Sequence, residues 1–130
     1  MGVYTKHYIR ILEDSENTPE NRKKLLKIIS ENNEYDWEEM FKEIPGTNGI
    51  LSDEHINFGS GPKWYNYDND IEKISDIFGD IEFYILCDME DGQYVYEQCY
   101  NSGYQTYSNT IEGETSTDIA NNYADRLKKQ

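Results

Sequence analysis

A chain of 130 residues with net charge −14, mean hydropathy −0.92 and 14% aromatic residues has room for one domain with a modest core. The aromatics exclude a disordered chain, and the charge opposes nucleic acid and anionic membranes while favouring basic partners. No apolar run is long enough for a signal peptide or a bilayer span, so a cytoplasmic protein is expected.

The first ten or so residues alternate and are rich in β-formers, which predicts a strand over 3–12, with Ile9 and Ile11 on one face and Tyr8 and Leu12 on the other. Thr18 and Pro19 then open a helix as cap and first residue, and Leu25, Leu26, Ile28 and Ile29 form its apolar stripe. A short helix is expected over 35–44, with Trp37, Met40, Phe41 and Ile44 inward, stopped at Pro45-Gly46. Extended chain broken by glycine follows over about 50–65. A clearer helix runs from an Asp68 cap through Ile71, Ile74 and Phe78 to Gly79.

The stretch from Ile81 to Asp88 reads as a strand with Ile81, Phe83, Ile85 and Cys87 on one face. A turn at Asp91-Gly92 returns the chain as a partner strand, setting Cys87 opposite Tyr96 and Cys99 opposite Tyr84. That register leaves the only two cysteines unjoined. A third strand follows Asn101-Ser102-Gly103, and a helix capped by Ser116 closes the chain, burying Ile119, Ala120, Tyr123, Ala124 and Leu127. The order implies an α+β fold of one domain, 1–130: an antiparallel sheet carrying helices, with a split βαβ core of the ferredoxin-like kind plus C-terminal strands and a helix.

Enzyme motifs are missing from this pattern. In the glycine-rich stretch 57–70, Pro62 removes an amide from a would-be phosphate cradle and Trp64 stands where a metal-binding hydroxyl belongs, so the stretch reads as a bend. The segment starting at Asp68 lacks the glycine and terminal glutamate of a calcium loop, and His7, His55, Cys87 and Cys99 have no zinc spacing. Neither cysteine has a histidine near it in sequence. The expectation is no enzyme, no catalytic residue, no metal and no cofactor. Tyr94, Tyr96 and Tyr100 share a strand face, as base-stacking rings do, but Glu97 and the acidic turn give the wrong field for direct nucleic-acid binding.

Charge is concentrated. Residues 1–27 carry six basic and four acidic side chains and residues 126–130 three basic ones, whereas residues 28–125 carry three basic and 22 acidic. Acids mixed with tyrosines suit a docking face, because tyrosine supplies contact area at small entropy cost and carboxylates steer a basic partner. The predicted anchors are Trp64, Tyr94, Tyr96 and Tyr100, and the predicted field comes from Asp68, Asp70, Asp88, Glu90, Asp91 and Glu97.

The run from Lys63 to Asp70, the step Ile74-Ser75-Asp76-Ile77-Phe78-Gly79-Asp80, the strand and the turn Glu90-Asp91-Gly92 together resemble uncharacterised small proteins of phages and mobile elements. Those carry a Lys-Trp pair, an acidic pair, an Ile-Ser-x-x-Phe step, a strand and an acidic turn. The likeness covers about residues 57–104, with Gly79 where that family has proline. It implies a ferredoxin-like fold and a phage or plasmid origin, and it transfers no catalytic residue. The reading that follows is a non-enzymatic inhibitor, imitating DNA in part, that occludes a basic nucleic-acid-handling host protein such as a CRISPR effector. The alternatives are an immunity protein neutralising a basic toxin and a protein that sequesters a small ligand in a concave pocket.

Overall fold

The computed structural model describes residues 5–31, 40–53, 67–89 and 94–112, together with 122, 124, 125 and 127. In chain order these form β1 (Thr5–Ile11), α1 (Pro19–Glu31), β2 (Lys42–Glu43), β3 (Leu51–Ser52), α2 (Tyr67–Phe78), β4 (Phe83–Met89), β5 (Tyr94–Asn101) and β6 (Tyr104–Glu112). The six strands make one sheet in the order β2-β3-β1-β4-β5-β6, and every pairing is antiparallel. It follows that β1 and β2 run parallel with β3 between them, and β3 and β4 run parallel with β1 between them. Strands β5 and β6 extend the β4 side as a meander.

The alternation in β1 divides the core as its sequence predicts. Ile9 and Ile11 point to one face and join Leu25 and Ile29 of α1, Ile71, Ile74 and Phe78 of α2, and Phe83 and Ile85 of β4. Tyr8 and Leu12 point to the other face and join Tyr84, Leu86, Val95 and Cys99, on which Ala124 and Leu127 pack. Each fully buried Leu or Ile contributes about 1.5–3 kcal/mol by leaving water. Helix α1 begins as expected: Thr18 Oγ1 accepts from the Asn21 amide at 3.2 Å.

Helix α2 starts at Tyr67, one residue before the expected cap, so Asp68 sits in its first turn. It ends at Gly79, whose φ of +95° is the left-handed value that stops helices there. The helix expected over 35–44 is corrected in its last part. Lys42 and Glu43 form strand β2, because the Ile44 amide bonds the Ile50 carbonyl and turns the chain back onto β3. Residues 32–39 lie outside the described residues, while Phe41 is buried and Met40 and Ile44 partly so. Of the extended segment at 50–65, Leu51–Ser52 is a strand and 54–65 falls outside the described residues. The closing helix is described only at Asn122, Ala124 and Asp125, which are helical; Ser116, Ile119, Ala120 and Tyr123 are outside.

The predicted hairpin register holds: Cys87 pairs with Tyr96 and Tyr84 with Cys99, and both cysteines are buried and outside any disulfide. The β5–β6 turn is Ser102-Gly103, with φ of +52° and +88°. Two left-handed residues make the tight turn whose twist matches that of the strands. A Cβ on Gly103 would stand 3.0 Å from Asp76 Cβ. Gly103→Ala is therefore expected to cost about 1–3 kcal/mol, checked by urea denaturation, with α2 and the β5–β6 turn perturbed together. No described helix is long and apolar enough to cross a membrane.

Candidate functional site

The described residues among those that the sequence groups into one face do not form one surface. Trp64, Glu90 and Asp91 lie outside the described residues, as does the side chain of Asp68. Tyr94, Tyr96 and Tyr100 do share the helix-side face of β5, because their partners on β4 or β6 hold that register. Tyr94 is 40% exposed and Tyr96 half-buried, but Tyr100 is fully buried and stacked on Phe83 with ring centroids 6.0 Å apart. Tyr100 is thus a core residue and not an anchor: the helices cover that end of the face. Glu97 is also fully buried, on the reverse face, and contributes no surface field. Asp70 and Asp88 are half-buried, and Asp88 stands opposite Lys6 across the strands.

Acid and ring come together elsewhere. The exposed stripe of α2 is Asn69, Glu72, Lys73, Asp76 and Ile77, at the three-and-four spacing of one helix face. Ile77 is 52% exposed. The β5–β6 turn abuts this stripe, held by the Gly103 amide bonding Ser75 Oγ at 3.1 Å and by the Ser102 amide on the Gly79 carbonyl. Just beyond the turn, the Tyr104 ring is 75% exposed. Glu72, Lys73, Asp76, Ser102, Gly103 and Tyr104 line an open groove of about 330 Å³. Tyr104 is not among the sequence-predicted anchors: the turn at Ser102-Gly103 and the helix end at Gly79 are each legible, but their meeting is not.

The helical layer is polarised. Helix α1 carries four basic and two acidic side chains, while α2 carries four acidic and one basic. Lys24 of α1 reaches over the Phe78 ring of α2 at 5.6 Å, so the positive helix leans on the apolar side of the negative one. The groove lies on the negative side.

Two buried polar clusters were not foreseen. On the helix-side face, His7 of β1 pairs with Cys87 of β4. Asp53, just past β3, accepts from the His7 amide at 2.7 Å through Oδ1 and from His7 Nδ1 at 3.0 Å through Oδ2. Burial, the largest single influence, lowers the His7 pKa; the Asp53 charge, Cys87 and the hydrogen bonds to both together outweigh it, so the value is pushed up to about 10. His7 is therefore an imidazolium at neutral pH. The order Asp–His–Cys is that of a nucleophilic relay, but the sulfur is fully enclosed and reactive thiols need access. The cluster acts as a clamp that ties the chain after β3 to the sheet. The signal was cross-strand: neither His7 nor Asp53 is near Cys87 in sequence.

On the reverse face, the Glu97 carboxyl accepts from the Tyr84 hydroxyl at 2.8 Å, the Tyr107 hydroxyl at 3.0 Å and Asn109 Nδ2 at 3.2 Å. Arg10, also fully buried, donates through Nη1 to Asp125 at 2.7 Å, tying β1 to the C-terminal segment. No group of described residues has the arrangement to hold a metal ion. Comparison with known proteins finds no matching family model, no similar curated protein and no similar solved structure.

Proposed function

We propose that this chain is a non-enzymatic binding protein that docks on a basic, nucleic-acid-handling protein and occludes its surface. The observation that carries this reading is the widely exposed Tyr104, which lines one groove with Glu72, Lys73 and Asp76, two carboxylates against one cation, with Ile77 exposed on the same helix. An exposed tyrosine beside acids offers an anchor and a steering field in one place. The imitation of DNA is partial. Glu72 and Asp76 are one turn apart, about 6 Å along the axis, against about 3.4 Å per phosphate along one DNA strand.

The likeness to small phage and mobile-element proteins directs the proposal to a host defence partner such as a CRISPR effector; a basic toxin met by an immunity protein would use the same groove. The ferredoxin-like description of the fold belongs to this reading as well. It is supported by β1–α1–β2 and β3–α2–β4, each joining parallel strands with a third strand between them. Fold by itself assigns no function.

The test is affinity capture from a bacterial extract with wild type and with a Glu72→Lys/Asp76→Lys/Tyr104→Ala variant, at low and high salt. A partner held by wild type at low salt is expected to be lost with the variant and weakened at least tenfold by salt. Capture that is insensitive to both changes, or no captured partner, contradicts the proposal.

A further inference from the structure

We infer that the outer edge of β6, the last strand of the sheet among the described residues, pairs antiparallel with β6 of a second copy of this chain, joining two six-stranded sheets into one. This goes beyond the docking reading and uses a different surface. Strand β6 ends the sheet order and is nine residues long. An exposed strand edge offers a row of amides and carbonyls to any chain that can pair, and proteins usually guard it with lysine, proline, inward charges or brevity. The opposite edge, β2, is guarded by brevity, at two residues. Between Tyr104 and Ile111, β6 has no charge and no proline, in a chain of which 29% of residues are charged. The register shift between Cys99 and Tyr100 bends only its start; from Tyr107 to Glu112 its pairing with β5 is regular.

The pattern of that regular stretch selects the occupant. Partners across an antiparallel pair share a face, so a twofold axis through the sheet must pass through a residue meeting its own copy. Centring on Asn109 sets Tyr107 of each copy opposite Ile111 of the other, and Ser108 opposite Thr110. Tyr107 and Ile111 are the half-buried apolar residues of β6, and both already pack on the reverse-face core. An aromatic facing a β-branched residue is a favourable cross-strand pair, and it occurs twice. No carboxylate meets a carboxylate, because Glu112 falls opposite the start of the other strand. A basic peptide gains nothing here, since the uncharged stretch gives it no field to recognise.

The test is sedimentation equilibrium of the full chain over a range of concentrations and salt. Dimer is expected to grow with concentration and also with salt, because two chains of charge −14 repel until screened. That sign is opposite to the salt response of docking on a basic partner, so failure of one is distinguishable from failure of the other. Ser108→Lys/Thr110→Lys alters two exposed positions and brings four lysines onto one face of the joint. It should weaken association roughly tenfold or more even though it lowers the net negative charge. Ser108→Thr/Thr110→Ser should preserve it. A single-chain mass up to roughly 1 mM, where even a millimolar dimer is half formed, overturns the inference. So does a dimer that survives the lysine pair with an unchanged circular dichroism spectrum.

Discussion

Replacing Glu97 by alanine is expected to lower stability by about 2–4 kcal/mol in urea or thermal unfolding. The side chain sits fully buried on the reverse face of β5 and accepts from two tyrosine hydroxyls and one amide. Truncation leaves the buried Tyr84 hydroxyl, the Tyr107 hydroxyl and the Asn109 amide without this acceptor, and a buried donor stripped of its partner costs its full desolvation. Glu97→Gln keeps the shape and one acceptor oxygen, and should cost about half as much. Because Asn109 and Tyr107 are on β6 while Tyr84 is on β4, the loss should loosen the β4–β5–β6 meander, seen as faster amide exchange in β6. An alanine variant within about 0.5 kcal/mol of wild type, the range of ordinary surface changes, would place Glu97 outside this role.

The second large effect is at His7. Burial opposes its charge most strongly of any single influence, and the Asp53 carboxylate and Cys87 together, through charge and hydrogen bonds, overcome that opposition to raise the pKa from 6.5 to about 10. A histidine whose folded pKa is raised stabilises the fold fully below its unfolded value, and the contribution fades as pH rises through the folded value. Stability should therefore fall between about pH 6.5 and 10, by an amount on the order of a few kcal/mol. Asp53→Asn removes the counter-charge, leaves an imidazolium that burial now drives neutral, and should cost about 3–5 kcal/mol at pH 7. It should also flatten the alkaline limb. Urea midpoints from pH 6 to 10 check both, and a limb equally steep in Asp53→Asn would refute the clamp.

Local chemistry was legible in the sequence. The Thr18 cap, the stripes of α1 and α2, the two faces of β1, the stop at Gly79 and the Cys87–Tyr96 register all follow from spacing and turn residues, and the structure has them. What was not legible came from distance along the chain. Tyr100 looked like a surface ring because its alternation with Tyr94 and Tyr96 is correct; only the packing of α2 over that end of β5 buries it. Glu97 looked like surface charge for the same reason, since nothing local announces hydroxyls arriving from β4 and β6. His7, Asp53 and Cys87 meet through pairings of strands far apart in sequence. Tyr104 becomes a candidate only once the β5–β6 turn is set against α2.

The groove itself is tested most directly by titrating the isotope-labelled full chain with a short lysine- and arginine-rich peptide and following the amide shifts. Shifts are expected to concentrate at Glu72, Asp76, Ser102, Gly103 and Tyr104, saturating at low salt and shrinking as salt is raised. Shifts spread evenly over the acidic surface, or absent from α2 and the β5–β6 turn, would contradict it.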